Sequence, residues 1–410
     1  MNSSSDVLSK LFNNGEYSEL NTLVNNAEVI CANGDIGSVN AYAFYIDNAA
    51  FNIKNCKKII KTYELAAKTG SPVIGFYSSP GVKLNEGFEA LNEYGEMLNK
   101  AFSVSGVVPQ IAVVCGECLG VAAVMSNTAD VVIGVKGADY YLVSGGEYKT
   151  ENSAEKGVAD IICEDVFSAT ECVKAILPLL PRNNLSLTET YEYADGESIE
   201  DEGSFVEFKA EYEPLLKTGL ATLGGLPVGI IDFKSNAITI KGAYKAEQII
   251  KLCNAYNLPV ITVADSSGFA EEENSALLTA LTKLSSAYAN STTVKISVIT
   301  KSCIGGAYVL LAGKGAAADL TVAVNGAVIS PMSVPSAVAF MLSDELAKGE
   351  DRTALEKKYA ENNLSAVKAA EAGAVDSVVE MSELRKTLIT SLKMLSSKRE
   401  TTIPRKHTVK

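Results

Sequence analysis

The sequence predicts an α/β protein built from two similar halves, and three observations carry that prediction. Short strand-like apolar runs alternate with helical patterns, the same motifs return in the same order in each half, and a polar, acidic stretch separates them. The repeat is read by aligning "TGSPVIGFYSSPG" (Thr69 to Gly81) with "YNLPVITVADSSG" (Tyr256 to Gly268). Pro72 then falls on Pro259, Val73 on Val260, Ser79 on Ser266 and Gly81 on Gly268. At nearly the same spacing, "VPQIAVVCGECLGVA" meets "TVKISVITKSCIGGA", with Cys118 on Cys303, Gly120 on Gly305 and Ala122 on Ala307. A third match, "AEKGVAD" with "AEAGAVD", follows in order. Three ordered matches point to one duplicated unit rather than to a chance likeness between apolar strands.

Each copy reads as the same series of elements. A helical pattern with apolar residues at threes and fours comes first, "CKKIIKTYELAAKTG" in one copy and "AYKAEQIIKLCNAYN" in the other. A β-rich run follows ("SPVIGFY", "LPVITVAD") and ends at a serine- and glycine-containing turn. A second β-rich run ("PQIAVVC", "VKISVIT") leads through a glycine turn into small, helix-compatible residues. With 410 residues the chain exceeds what one core usually supports. The polar run "NNLSLTETYEYADGESIEDEGSF" marks the seam, giving domains 1–205, which ends in this acidic connector, and 206–410.

Composition narrows the class. Lys+Arg number 36 against Asp+Glu 49, so there is no cationic surplus with which to displace counterions from nucleic acid. The first residues, "MNSSSDVLSK", show no secretory leader, and the most apolar stretch, Val107 to Val135, is broken by Pro109, Gln110, Glu117, Asn127 and Asp130. The expectation is a soluble, cytoplasmic chain that does not itself span a membrane. Eight cysteines scattered singly read as reduced core residues, and no metal site is expected. Cys115 and Cys118 have the C-x-x-C spacing of a redox or zinc motif, but the second copy keeps only the latter position, as Cys303, so packing is the favoured reading. The single histidine, His407, stands in the C-terminal tail, which leaves neither core a base for Ser-His-Asp or Cys-His chemistry.

The glycine turns are where chemistry can sit. A chain turning from strand into helix leaves the first helical N–H groups without intrahelical acceptors, and glycine there admits an oxygen close to the backbone. Such a turn can serve as an oxyanion hole, or the small residues can serve close packing alone. Two copies suit two reactants that each develop enolate character.

The stretches "GSPVIGFYSSPGVKLNEGFEALNEYGEM", "SGVVPQIAVVCGECLGVAA", "NLPVITVADSSGF" and "KISVITKSCIGGAYVLLAGKGAAADLTVAVNGAVISPM" carry a resemblance, as do "AVKAAEAGAVDSVV" and the tail "KRETTIPRKH". The chain resembles the carboxyltransferase subunits of biotin-dependent acyl-CoA carboxylases and decarboxylases. That group includes propionyl-CoA carboxylase β subunits and methylmalonyl-CoA or glutaconyl-CoA decarboxylase α subunits. The resemblance implies two tandem crotonase-like domains, each a ββα superhelix, the first holding acyl-CoA and the second biotin. It also implies a homo-oligomer, a dimer or trimer of dimers, with each active site shared between the first half of one subunit and the second half of another. In that family carboxybiotin yields CO2 and a biotin enolate, which takes the α-proton of the thioester. No side-chain base is needed.

Carried over by position, the resemblance implies backbone donors to biotin at Gly305, Gly306 and Ala307, and donors to the thioester at Gly120 and Val121. It implies substrate contacts at Ser78, Ser79, Gly81, Lys83 and Cys118 in the first half, and at Ser266, Ser267, Gly268, Phe269 and Tyr308 in the second. Two departures fall in the first half. Val121 stands where the family has glycine, and "SSPGVK" replaces its Asp-Ser-Gly-Gly-Ala-Arg, so that Pro80 removes an amide donor and Lys83 replaces arginine. No biotin-attachment segment is present, because no Met-Lys-Met occurs, so the implied biotin rides on a separate carrier protein. A biotin carboxylase or a membrane decarboxylase subunit is a further implied partner. Three readings stay open from the sequence: an active carboxyltransferase on a short acyl-CoA, a non-catalytic scaffold paralogue favoured by Val121 and Pro80, and a crotonase-type hydratase or isomerase using Glu117 as acid or base.

Overall fold

The computed structural model describes residues 3–24, 27–143, 148–196 and 198–401; His407 and the end of the tail "KRETTIPRKH" lie outside them. The chain packs as two compact units, Met1–Thr190 with Val206–Tyr212, and Tyr191–Phe205 with Glu213–Lys410. The acidic stretch is therefore shared out between the two.

In the first unit the strand order is Ser18–Leu20, Val29–Ile36, Val39–Asp47, Val73–Ser79, Gln110–Leu119, Val131–Val135 and Ile161–Cys163. The first three strands pair antiparallel and the rest parallel. The second unit repeats the plan: Lys217–Leu223 and Leu226–Asp232 form an antiparallel hairpin, followed by Val260–Val263, Lys295–Ile299, Leu320–Val324 and Ser377–Val379 in parallel. Even the register is kept, since Ile74 pairs with Ile111 in one unit and Ile261 with Ile296 in the other. The parallel strands read as nearly continuous apolar runs because they are buried on both faces.

The helix Ile53–Thr69 shows why these residues fold as they do. The Asn52 side chain accepts from the Asn55 N–H at its start, Gly70 ends it at φ 63°, and Cys56, Ile59, Tyr63 and Ala66 form its buried stripe. Its counterpart Ile240–Ala255 starts at Thr239, whose side chain accepts from the Gly242 N–H, and buries Ala243, Ala246, Ile250 and Cys253. A carboxylate completes each start. Glu86 Oε2 accepts the Ile53 N–H at 2.8 Å and Glu272 Oε2 accepts the Ile240 N–H at 2.6 Å.

Both second strands run on into a short crossing segment. Cys118 and Leu119 pair in parallel with Tyr140 and Tyr141, and Ser302–Ile304 pairs in parallel with Val328–Ser330. These segments deliver the chain to the two glycine turns. Among the described residues, no helix is long and apolar enough to cross a membrane.

Candidate active site

The two turns are the same object built twice. Gly120 has φ 58° and ψ −126°, and Gly305 has φ 57° and ψ −125°. Residues with a Cβ rarely adopt this conformation, which is that of the first central residue of a type II′ turn. Each glycine N–H is held by the neighbouring short strand: Gly120 donates to the Tyr141 carbonyl at 2.9 Å, and Gly305 to the Ser330 carbonyl at 2.8 Å. Each glycine carbonyl accepts within the helix that follows, from Val124 and Val309. Those helices are Val121–Ser126 and Gly306–Leu311. Among the described residues no acceptor takes the N–H of Val121, Ala122, Gly306 or Ala307. Two adjacent free donors per turn are the hydrogen-bonding complement of a carbonyl-type oxygen.

The serine-glycine loops brace the turns in matching ways. Ser79 lies beside Cys118 in the sheet and Ser266 is bridged to Cys303. Both serines are fully buried; the Ser79 hydroxyl bonds Gly81 within its own loop, and the Ser266 hydroxyl bonds Gly268 within its loop and donates to the carbonyl of the distant Asn236. Ser79 and Ser266 thus shape the loops from inside. Ser78 is half-buried against Gly116, whose Cα leaves only 2.3 Å between a built Cβ and the Ser78 Oγ. Ser267 is exposed, and Gly81 and Gly268 carry φ of 105° and 126°. The loops are also bridged alike: Phe51 pairs with Val82, and Ile238 with Phe269. The Lys83 N–H donates to the Phe51 carbonyl at 2.9 Å and its side chain is half-buried, while Pro80 is exposed.

Phe269 and Val121 line the mouths of the turns. The Phe269 ring lies over Gly306, where a built Cβ would come within 2.3 Å of its Cζ, yet the residue is 46 % exposed. Val121 is 47 % exposed. Cys118, Cys303 and Ala307 are fully buried, and burial pushes both thiols up to about 12. Cys115 is also pushed up to about 12 by burial, with its Sγ 3.7 Å from the Tyr45 hydroxyl. These thiols pack and stay protonated. The Tyr308 hydroxyl donates to the Ala374 carbonyl at 2.6 Å, so it serves the fold of the second unit. Glu117 stands half-buried on Gln110–Leu119, one residue from Cys118.

One residue that the sequence reading missed is Asp265. Its buried carboxylate accepts the Thr300 and Lys301 N–H groups at 2.8 and 2.9 Å and the Thr300 hydroxyl, fixing the approach to Ser302–Ile304. By register its counterpart is Ser78, and an aspartate at the head of a Ser-Ser-Gly turn is the sequence cue for such a clasp.

The family model for the carboxyl transferase domain matches the chain over residues 8–196 and 188–409. The chain is 29 % identical to the propionyl-CoA carboxylase beta chain of Saccharopolyspora erythraea over 417 residues, spanning 86 % of this chain and 76 % of that one. It is 27 % identical to the methylmalonyl-CoA decarboxylase subunit alpha of Veillonella parvula over 467 residues, 98 % of this chain and 91 % of that one. A transcarboxylase 12S hexamer, crystallised with methylmalonyl-coenzyme A and methylmalonic acid bound, shares the fold with a TM-score of 0.91. Its identity is 24 %, over 98 % of this chain and 91 % of that chain. The two units are accordingly tandem crotonase-like domains. The chain belongs to the carboxyl transferase domain family, as a carboxyltransferase of the biotin-dependent acyl-CoA type.

Proposed function

We propose that the chain moves a carboxyl group between biotin, borne on a separate carrier protein, and a short acyl-CoA, using its two glycine turns as the oxyanion holes. The observation that carries this reading is the pair of turns with matching torsions, each followed by two free N–H groups. Biotin, when bound in its carboxylated form, would supply CO2 and then the base for the acyl α-proton, the CO2 being taken up at the α-carbon of the thioester enolate. The chain's own work is electrostatic. The Val121 and Ala122 N–H groups hold the thioester oxygen while charge builds on it as the α-proton leaves, and the Gly306 and Ala307 N–H groups hold the ureido oxygen. Glycine at 306 lets the half-exposed Phe269 ring lie over the turn, and that ring has to swing aside to admit the guest. One such donor is commonly worth about 100-fold in rate.

In this reading domain 1–205 takes the acyl-CoA and domain 206–410 the biotin. The working form is a homodimer or trimer of dimers in the cytoplasm, in which unlike halves of two subunits face one another. A biotin carboxylase or a membrane decarboxylase subunit completes the system. The test is carboxyl transfer from malonyl-CoA or methylmalonyl-CoA to free biocytin by the purified protein. Transfer that requires both turns is expected. Absence of transfer from both esters would overturn the proposal.

A further inference from the structure

We propose that Val121 is a specificity-determining residue: its side chain takes the place that the Phe269 ring takes at the other turn, and it limits the first-half site to acyl groups with a small substituent on Cα. This rests on the carboxyl-transfer reading above.

The two turns are superposable in torsion, so residue 121 projects its Cβ as residue 306 would. At Gly306 that direction is already filled, by a ring atom 2.3 Å from a built Cβ. The bridges Ile238 to Phe269 and Phe51 to Val82 make Val82 the first-half counterpart of Phe269. Val82 is small, half-buried and packed against the first unit's core. It leaves the mouth of its turn to Val121. Bulk at the mouth has thus moved from the loop to the turn itself: phenylalanine over glycine in one half, valine on the turn in the other.

The exchange alters what the mouth admits. A phenylalanine on a loop, half in solvent, can swing aside for a guest. Valine at the first position of a helix is held to essentially one rotamer and cannot. Within one residue the amide N and Cβ are about 2.5 Å apart. An oxygen accepting that N–H sits about 2.9 Å from N. The thioester carbon and its α-substituent therefore pass within van der Waals reach of the valine methyls. An acetyl group clears this wall, and each added carbon on Cα meets it.

The experiment compares wild type with Val121→Gly, Val82→Phe and the double variant. Transfer to biocytin from malonyl-, methylmalonyl- and ethylmalonyl-CoA is measured, together with thermal unfolding. Wild type should favour malonyl-CoA. Val121→Gly should raise the ethylmalonyl-to-malonyl ratio of kcat/KM by about 10-fold or more, the scale of one methylene against a pocket wall. Val82→Phe should lower Tm, and the double variant should recover both Tm and the wild-type ratio, because one ring then fills one space. An active Val121→Gly with an unchanged ratio overturns the proposal, as does a double variant no more stable than Val82→Phe. If no protein transfers from any ester, the carboxyl-transfer reading fails, and the proposal is then decided by calorimetry. Butyryl-CoA binding gained relative to acetyl-CoA in Val121→Gly supports it, and equal binding or none overturns it.

Discussion

Replacing Gly306 by valine tests the second turn where the structure makes its sharpest statement. The new Cβ would stand 2.3 Å from Phe269 Cζ and 2.6 Å from its Cε2, so the ring must move. Because Phe269 is 46 % exposed, it can move outward, and the overpacking cost belongs to the lower part of the usual 1–3 kcal/mol, about 1 kcal/mol. The functional cost is separate and larger. With the valine methyls and a displaced ring at the mouth, the ureido oxygen loses the Gly306 N–H, and one such donor is worth about 100-fold or more in rate. The expected result is a protein with wild-type circular dichroism, a small loss in Tm, and transfer from malonyl-CoA to biocytin reduced at least about 100-fold. Adding Phe269→Ala removes the clash with the ring but not the valine, so it should restore Tm and leave activity low, because the ureido carbon sits in a rigid ring and cannot turn its substituents away from the valine as the open-chain thioester does at Val121. A folded Gly306→Val with normal transfer would refute the reasoning, and full recovery in the double variant would show that only packing had been disturbed.

Gly120→Ala and Gly305→Ala should each destabilise by about 1–3 kcal/mol through their positive φ. Gly305→Ala should be the worse, because its Cβ meets the Pro331 carbonyl at 3.0 Å whereas that of Gly120 finds only the Leu142 carbonyl at 3.8 Å; calorimetric Tm values decide the order. Arg385 bonds Asp201 at 2.5 Å as well as Asp195, and Arg385→Ala should cost about 1.5–3 kcal/mol in urea unfolding, since it removes the charged donor from a buried carboxylate that keeps the Gly224 and Gly225 N–H groups. Burial pushes the Asp201 carboxyl up, but hydrogen bonds from Thr222, Arg385, Gly225 and Gly224 outweigh it and hold its pKa below the ordinary 3.8. Its stabilisation is therefore present above that value and lost as pH falls through the folded pKa, so wild type and Asp201→Asn should differ at pH 6 and draw together only as pH falls from 3.8 through the folded pKa. Light scattering on the eluting protein should give a dimer or larger at micromolar concentration, and a monomer would count against shared sites between subunits.

The duplicated turns were legible because repetition is a property of sequence: Gly120 and Gly305 fall in step with Cys118 and Cys303, and their torsions agree to within a degree. What the loops do over those turns was not legible. The path from Ser266 to Phe269 depends on the bridge to Ile238, a contact between distant residues that no local pattern announces. The clasp at Asp265 and the Tyr308 bond to Ala374 are long-range in the same way. The hairpin Lys217–Leu223 with Leu226–Asp232 could have been read from Gly224 and Gly225 between two apolar runs, a two-residue turn with φ of 61° and 76°. Ser79 and Ser266 stood as substrate contacts on the resemblance alone, and no local pattern shows that their hydroxyls are buried and bonded to Gly81 and Gly268.

The sharing of the acidic stretch has a practical consequence. Residues 191–205 pack with the second unit although 206–212, further along the chain, pack with the first, so no single broken peptide bond yields two whole halves. A protease that nicks this stretch should leave the molecule migrating as one particle under native conditions and as two bands only in detergent. Anyone producing the halves separately at residue 205 would hand the first a strip gripped by Arg385 of the second, and would receive partners that need each other to be complete.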